Sequence, residues 1–147
     1  MVLNRASHIN FGALKDAEHY SHYYIYFLEG YVQKQLKGFA DQYTVIADLD
    51  GLSTDHFKLT VTQRNVGDSL KYSPERQYKL LVVNASTFAH ILWRVLKPLI
   101  PKKTLHKLNI LSSDKKEILE GLKKEMDVSV IPEYLGGENT RTFADDM

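Results

Sequence analysis

The sequence contains no cysteine, which excludes disulfides and thiolate chemistry and suits a reducing compartment. It has no run long and apolar enough to cross a bilayer. Its first ten residues, MVLNRASHIN, lack the apolar core of a secretion signal. A soluble, cytoplasmic protein that meets membranes from outside is the expectation. Net charge is nearly absent as well: 19 basic against 18 acidic residues leave +1, which argues against a dedicated nucleic-acid binder. There is no internal repeat, no low-complexity tract, and no P-loop, HExxH or GxSxG. Ser112-Ser113-Asp114-Lys115 matches a bare S-x-x-K without its companion motifs, and helix capping accounts for the serines. His8, His19 and His22 are ligands by type, but no carboxylate stands at a fitting spacing. No metal site and no cofactor are expected.

What is present is an ordinary globular composition. The 147 residues are 44% hydrophobic and 25% charged, enough for one domain with a core that needs no staples. Leu14, Ala17, Tyr20, Tyr23, Tyr24, Phe27, Leu28 and Tyr31 recur at helical spacing and predict a long helix over 14–39. YTVIADLDG (43–51) reads as a buried strand ending in a turn. A weaker helical pattern covers 54–71. QYKLLVVN (77–84) and HKLNIL (106–111) are further apolar strands, and Val2-Leu3 is the stub of another, so that the chain starts abruptly. Ser86 is placed to cap a helix over 86–99, and Ser113 one over 114–125 with Ile118, Leu119, Leu122 and Met126 inside. Apolar strands without period-2 alternation, alternating with helices, indicate an α/β fold with a parallel or mixed sheet covered on both faces.

The helix over 86–99 is unusual. Phe88, Ala89, Ile91, Leu92, Trp93, Val95, Leu96 and Leu99 leave only a narrow polar stripe of His90, Arg94 and Lys97, where a surface helix normally has a broad polar face. Two readings are open: a helix sandwiched in the core, or one with an acyl chain on one flank and a membrane interface on another. Arg94, Lys97, Lys102, Lys103 and Lys107 follow in a stretch with no acidic residue. Such a segment is either a solvated loop or a dock for anionic headgroups, where each cation adds roughly 1 kcal/mol.

One catalytic alternative stands out. VIADLDGLST (45–54) resembles the first motif of the haloacid-dehalogenase-type phosphatases, which implies Asp48 as nucleophile, Asp50 as acid/base and Mg²⁺ as counterion. That family usually has a Thr after the Gly, where this chain has Leu52, and the later acidic pair is not evident. An Asp-Gly strand-to-turn junction explains the same residues.

From Tyr72 to Gly137 the chain resembles the CRAL-TRIO family, in particular the phosphatidylinositol/phosphatidylcholine transfer proteins of the secretory pathway. The resemblance is carried by Y-S-P-E-R (72–76), K-L-L-V-V-N-A (79–85), Phe88, Lys97-Pro98, Thr104 with Lys107, N-I-L-S-S (109–113), K-E-I-L (116–119) and I-P-E-Y-L-G-G (131–137). D-L-D-G (48–51) falls at that family's Asp-Leu-x-Gly strand end, and R-A-S-H-I-N-F (5–11) looks like its first strand-to-helix connection. The resemblance implies a mixed, mainly parallel sheet flooring a hydrophobic pocket, with the helix over 86–99 as its gate. It assigns Phe88, Ile91, Leu92, Val95 and Leu96 to the gate and acyl pocket; beside that gate, the acid-free charge pattern puts Arg94, Lys97, Lys102 and Lys103 on a basic membrane-facing surface. It assigns Glu75, Arg76, Thr104 and Lys107 to the inositol phosphate headgroup. The implied unit is residues 1–137, followed by a polar tail over 138–147. On this resemblance the family's preceding helical domain is expected to be absent, and a homodimer that covers exposed apolar surface is then an expectation. Where some members hold phosphatidylcholine with small hydroxyl residues, this chain has Tyr43 and Val45. The implied function is non-enzymatic binding and transfer of a phospholipid, phosphatidylinositol first, with transient docking to anionic membranes. The alternatives are a protein-interaction module with a non-functional pocket and the Asp48/Asp50 phosphatase.

Overall fold

The computed structural model describes residues 1–6, 16–31, 34, 42–52, 63 and 76–140. Four strands form one sheet: β1 (Val2–Arg5), β2 (Tyr43–Asp48), β3 (Gln77–Val83) and β4 (Leu108–Ile110). They lie in the order β1-β2-β3-β4, and every neighbouring pair is parallel. The sheet, expected as parallel or mixed and mainly parallel, is wholly parallel among the described residues. The cause is in the connections. Each runs through a helix or a long segment rather than a tight hairpin, and a crossover of that length returns the chain in the same direction.

The helices are α1 (Ala17–Tyr31), α2 (Thr87–Leu96), α3 (Lys102–Leu105) and α4 (Lys115–Lys123), with 3₁₀ turns at Lys97–Leu99, Val128–Val130 and Glu133–Leu135. The ends expected for the first helix, and all of the helix expected over 54–71 except Gln63, lie outside the described residues. Along α1, Tyr23, one of the residues recurring at helical spacing, is exposed, as is Tyr26.

Ser86 caps α2 as its sequence position predicts, its side chain accepting from the Ala89 N–H at 3.3 Å. The α-helix stops at Leu96 and tightens into a 3₁₀ turn, because Pro98 has no N–H to continue the ladder. The cap of α4 is Asp114 rather than Ser113. Its carboxylate accepts from the Lys116 and Glu117 N–H groups at 2.9 and 3.1 Å, and a charged acceptor at a helix N-terminus outcompetes a neutral hydroxyl.

The two faces of the sheet differ. Register partners in a parallel sheet share a face. Leu3, Ile46, Leu81 and Asn109 therefore point one way, and Val2, Val45, Leu80 and Leu108 the other. On the first face Ile46, Leu81 and Val83 join Ile118 and Leu122 of α4 and Ile131 and Leu135 of the C-terminal turns in one buried core. Each such side chain contributes about 1.5–3 kcal/mol. Lys79, also on this face, donates to both carboxylate oxygens of Glu125. The C-terminal turns are held by Gly136, left-handed at φ 90°, and by Gly137, where an added Cβ would overlap the Ile131 carbonyl. Glu138 and Asn139, expected to begin the tail, instead donate backbone hydrogen bonds to Val128 and Ile131.

Residues of the second face are Val2, Tyr43, Val45, Ala47, Leu80, Val82, Leu108 and Ile110. Toward β1 and β2 it is buried at Val2, Tyr43 and Val45; toward β3 and β4 it is only half-buried at Leu80, Val82, Leu108 and Ile110. The buried residues of α2, Ala89 and Leu96, are not part of the core on the first face. Right-handed crossovers between successive parallel strands put their helices on one common side, so α2 belongs with the second face.

Candidate functional site

Parallel strands start at the same edge of a sheet, and that edge gathers three of the four residues expected at a headgroup. Arg76 precedes β3, and Lys107 precedes the neighbouring β4. The backbone fixes both: the Tyr43 N–H donates to the Arg76 carbonyl at 2.8 Å, and the Leu80 N–H donates to the Lys107 carbonyl at 2.8 Å. Thr104 lies at the end of α3, where its carbonyl accepts from the Lys107 N–H at 3.0 Å, and its side chain is half-buried. Glu75 lies outside the described residues.

Both cations already have protein acceptors. The Lys107 Nζ donates to the Gln77 carbonyl at 3.1 Å, which brings the ammonium to the residue next to Arg76. The Arg76 Nε lies 3.5 Å from the Glu29 carboxylate of α1, with side chains 41% and 36% exposed. Tyr43 is buried beside this pair. Burial pushes its hydroxyl above the ordinary phenol range, the Glu29 charge pushes it further, and the Arg76 charge opposes both. Glu29 was not legible as a site residue: it stands 47 positions before Arg76, and no motif links a Glu in the last turn of a helix to a strand start.

The helix expected as a gate has two characters. Leu96 and Ala89 are buried, and Phe88 and Leu92 are half-buried. Ile91 and Val95, expected to line an acyl pocket, are turned outward at 55% and 48% exposure, in line with Leu99 at 51%. Residues four apart share a helix face, so these three form an outer apolar stripe. Arg94, Lys97, Lys102 and Lys103 are all exposed around it, and no acidic residue occurs from Arg76 to Ser113.

At the opposite edge of the sheet, the Asp-Leu-Asp-Gly junction is structural in its contacts. Asp48 is 1% exposed, and its Oδ1 accepts from the Asp50 N–H at 3.0 Å and from the Asn84 Nδ2 at 2.8 Å. Asn84 sits in the left-handed region at φ 55° to make that bond. Arg5 Nε is 3.3 Å from Asp48 Oδ2, off the hydrogen-bonding direction, an ion pair rather than a hydrogen bond. The Arg5 guanidinium also stacks on the Tyr134 ring at 4.2 Å. Burial and the Asp48 charge drive the Tyr134 hydroxyl far upward. A buried carboxylate held by a fixed Arg and two donors is ill placed to attack phosphorus. No group of three His, Asp or Glu able to hold a metal occurs among the described residues. No helix among them is long and apolar enough to cross a membrane.

Comparison with known proteins gives a family match over most of the chain. The model of the CRAL/TRIO domain matches residues 1–137. A CRAL-TRIO domain-containing protein of Caenorhabditis elegans is 30% identical over 65% of this chain and 14% of its own length. The phosphatidylinositol/phosphatidylcholine transfer protein SFH4 of Arabidopsis thaliana is 30% identical over 71% of this chain and 17% of its own length. SFH12, of the same description and organism, is 30% identical over 68% of this chain and 18% of its own length. The chain thus spans less than a fifth of each of these relatives.

Proposed function

The chain belongs to the CRAL/TRIO domain family, and from that premise we propose that it binds and transfers a single phospholipid, phosphatidylinositol first. The observation that carries the reading is the pairing of two features on one sheet. One is the cationic edge of Arg76, Thr104 and Lys107. The other is the half-buried apolar face of Leu80, Val82, Leu108 and Ile110, which the right-handed crossover sets on the side of α2. The apolar face suits acyl chains, each Å² buried contributing roughly 25 cal/mol. The edge suits a phosphodiester: Arg offers a planar fork, Lys a point charge and Thr a hydroxyl donor. Glu75 adds an acceptor for inositol hydroxyls. Relatives described as phosphatidylinositol/phosphatidylcholine transfer proteins support the lipid class.

The outer face of α2 supplies the membrane step. Ile91, Val95 and Leu99 enter the interface while Arg94, Lys97, Lys102 and Lys103 meet anionic headgroups. The protein is then peripheral and cytoplasmic, and needs no cofactor or covalent chemistry. The test is transfer of labelled phosphatidylinositol from donor to acceptor vesicles. Transfer proportional to protein supports the reading. Binding without transfer would reduce the function to that of a lipid-sensing module, and neither would remove it.

A further inference from the structure

The headgroup cations are held in two different ways. Lys107 rests on a neutral acceptor, the Gln77 carbonyl. Arg76 rests on a full negative charge, the Glu29 carboxylate of α1. A carbonyl can be exchanged for a phosphate oxygen with no charge left over. A carboxylate beside an arriving phosphate repels it.

We infer that Glu29 is an internal competitor of the lipid phosphate: it holds the Arg76 guanidinium in the empty protein and weakens binding of net-anionic headgroups. The inference rests on the proposed headgroup site and names a residue that sets its selectivity. The geometry fits a displaceable partner. At 3.5 Å the pair is longer than the 2.7–2.9 Å of a tight charge-assisted bond. Both side chains reach solvent, so either can leave without crossing the core. The neighbouring Tyr43 hydroxyl feels both charges, which places pair and tyrosine in one electrostatic unit at the sheet edge. A net-neutral headgroup brings its own cation and is penalised less, so Glu29 lowers the ratio of phosphatidylinositol to phosphatidylcholine taken up.

The experiment exposes wild type and Glu29→Gln to limiting amounts of vesicles containing equal phosphatidylinositol and phosphatidylcholine, re-isolates the protein and counts both bound lipids. The control is Glu18→Gln, an exposed carboxylate in the first turn of the same helix. It changes net charge equally without touching Arg76. The expected result is a two- to fivefold rise in the bound ratio for Glu29→Gln, the range matching the loss of an exposed pair worth up to ~1 kcal/mol. Glu18→Gln should leave the ratio unchanged. An unchanged or lower ratio for Glu29→Gln overturns the inference, as does an equal rise in both variants. Wild-type protein that takes up no phosphatidylinositol removes the headgroup reading itself and this inference with it.

Discussion

Arg76 and Lys107 immediately precede adjacent parallel strands, so two residues separated by 31 positions lie at the same end of the sheet. Lys107→Ala leaves its backbone ladder bond intact and removes one cation. It should lower phosphatidylinositol binding at least several-fold, since hydrogen bonds to charged groups contribute about 1.5–3 kcal/mol, while the protein still folds cooperatively with a urea midpoint lowered only by the loss of the Nζ–Gln77 carbonyl bond; equal binding would contradict the assignment. Asp48 behaves oppositely. Asp48→Ala strips the acceptor from Asn84 and Asp50 and leaves Arg5 unpaired, so stability should fall by about 2–4 kcal/mol in urea titrations. A variant as stable as wild type would show that this network does not hold the sheet edge to the C-terminal turns. The sequence made Asp48 visible as half of an Asp-x-Asp pair, but its partners Arg5, Asn84 and Tyr134 lie far apart in the chain. The choice between nucleophile and anchor was therefore open until the sheet brought them together.

At the scale of elements, α2 was recognisable by what it lacks, a broad polar face. Which apolar residues point outward was not recognisable, because the polar stripe of His90, Arg94 and Lys97 is narrow and does not mark how far the outer face extends past it. Ile91 and Val95 were expected inside and lie outside with Leu99. The Ser86 cap and the stop at Pro98 were legible because both are local stereochemistry; the cap of α4 was misread by one residue because Ser113 and Asp114 are both good caps. The outward stripe yields a prediction for the element. Replacing Ile91 and Val95 together by Asp should weaken sedimentation with anionic vesicles by an order of magnitude or more. Thermal stability should hold, as neither residue is in the core. Unchanged sedimentation would mean that α2 is not the docking element.

For the whole molecule, the α/β class followed from apolar strands alternating with helical patterns. The direction of every strand did not, since register and pairing depend on contacts between segments 28 or more residues apart. Two tyrosines, Tyr43, which is buried, and Tyr134, which is 38% exposed with its hydroxyl beside Asp48, couple the fold to alkaline pH. Both hydroxyls have raised values in the folded state against an ordinary 10.0. Above that value the unfolded chain releases these protons first, so stability is full below about pH 10 and falls as pH rises further. Chemical denaturation between pH 8 and 11 should show this decline, and replacing Tyr134 by Phe should reduce it. Lipid occupancy is the property on which the proposed transfer role rests. Purified protein should be exposed to mixed phospholipid vesicles, re-isolated, extracted with organic solvent and analysed by mass spectrometry. The account predicts about one phosphatidylinositol per chain, lost in the Arg76→Ala/Lys107→Ala variant. Protein free of bound phospholipid, or occupancy indifferent to those two cations, would contradict it.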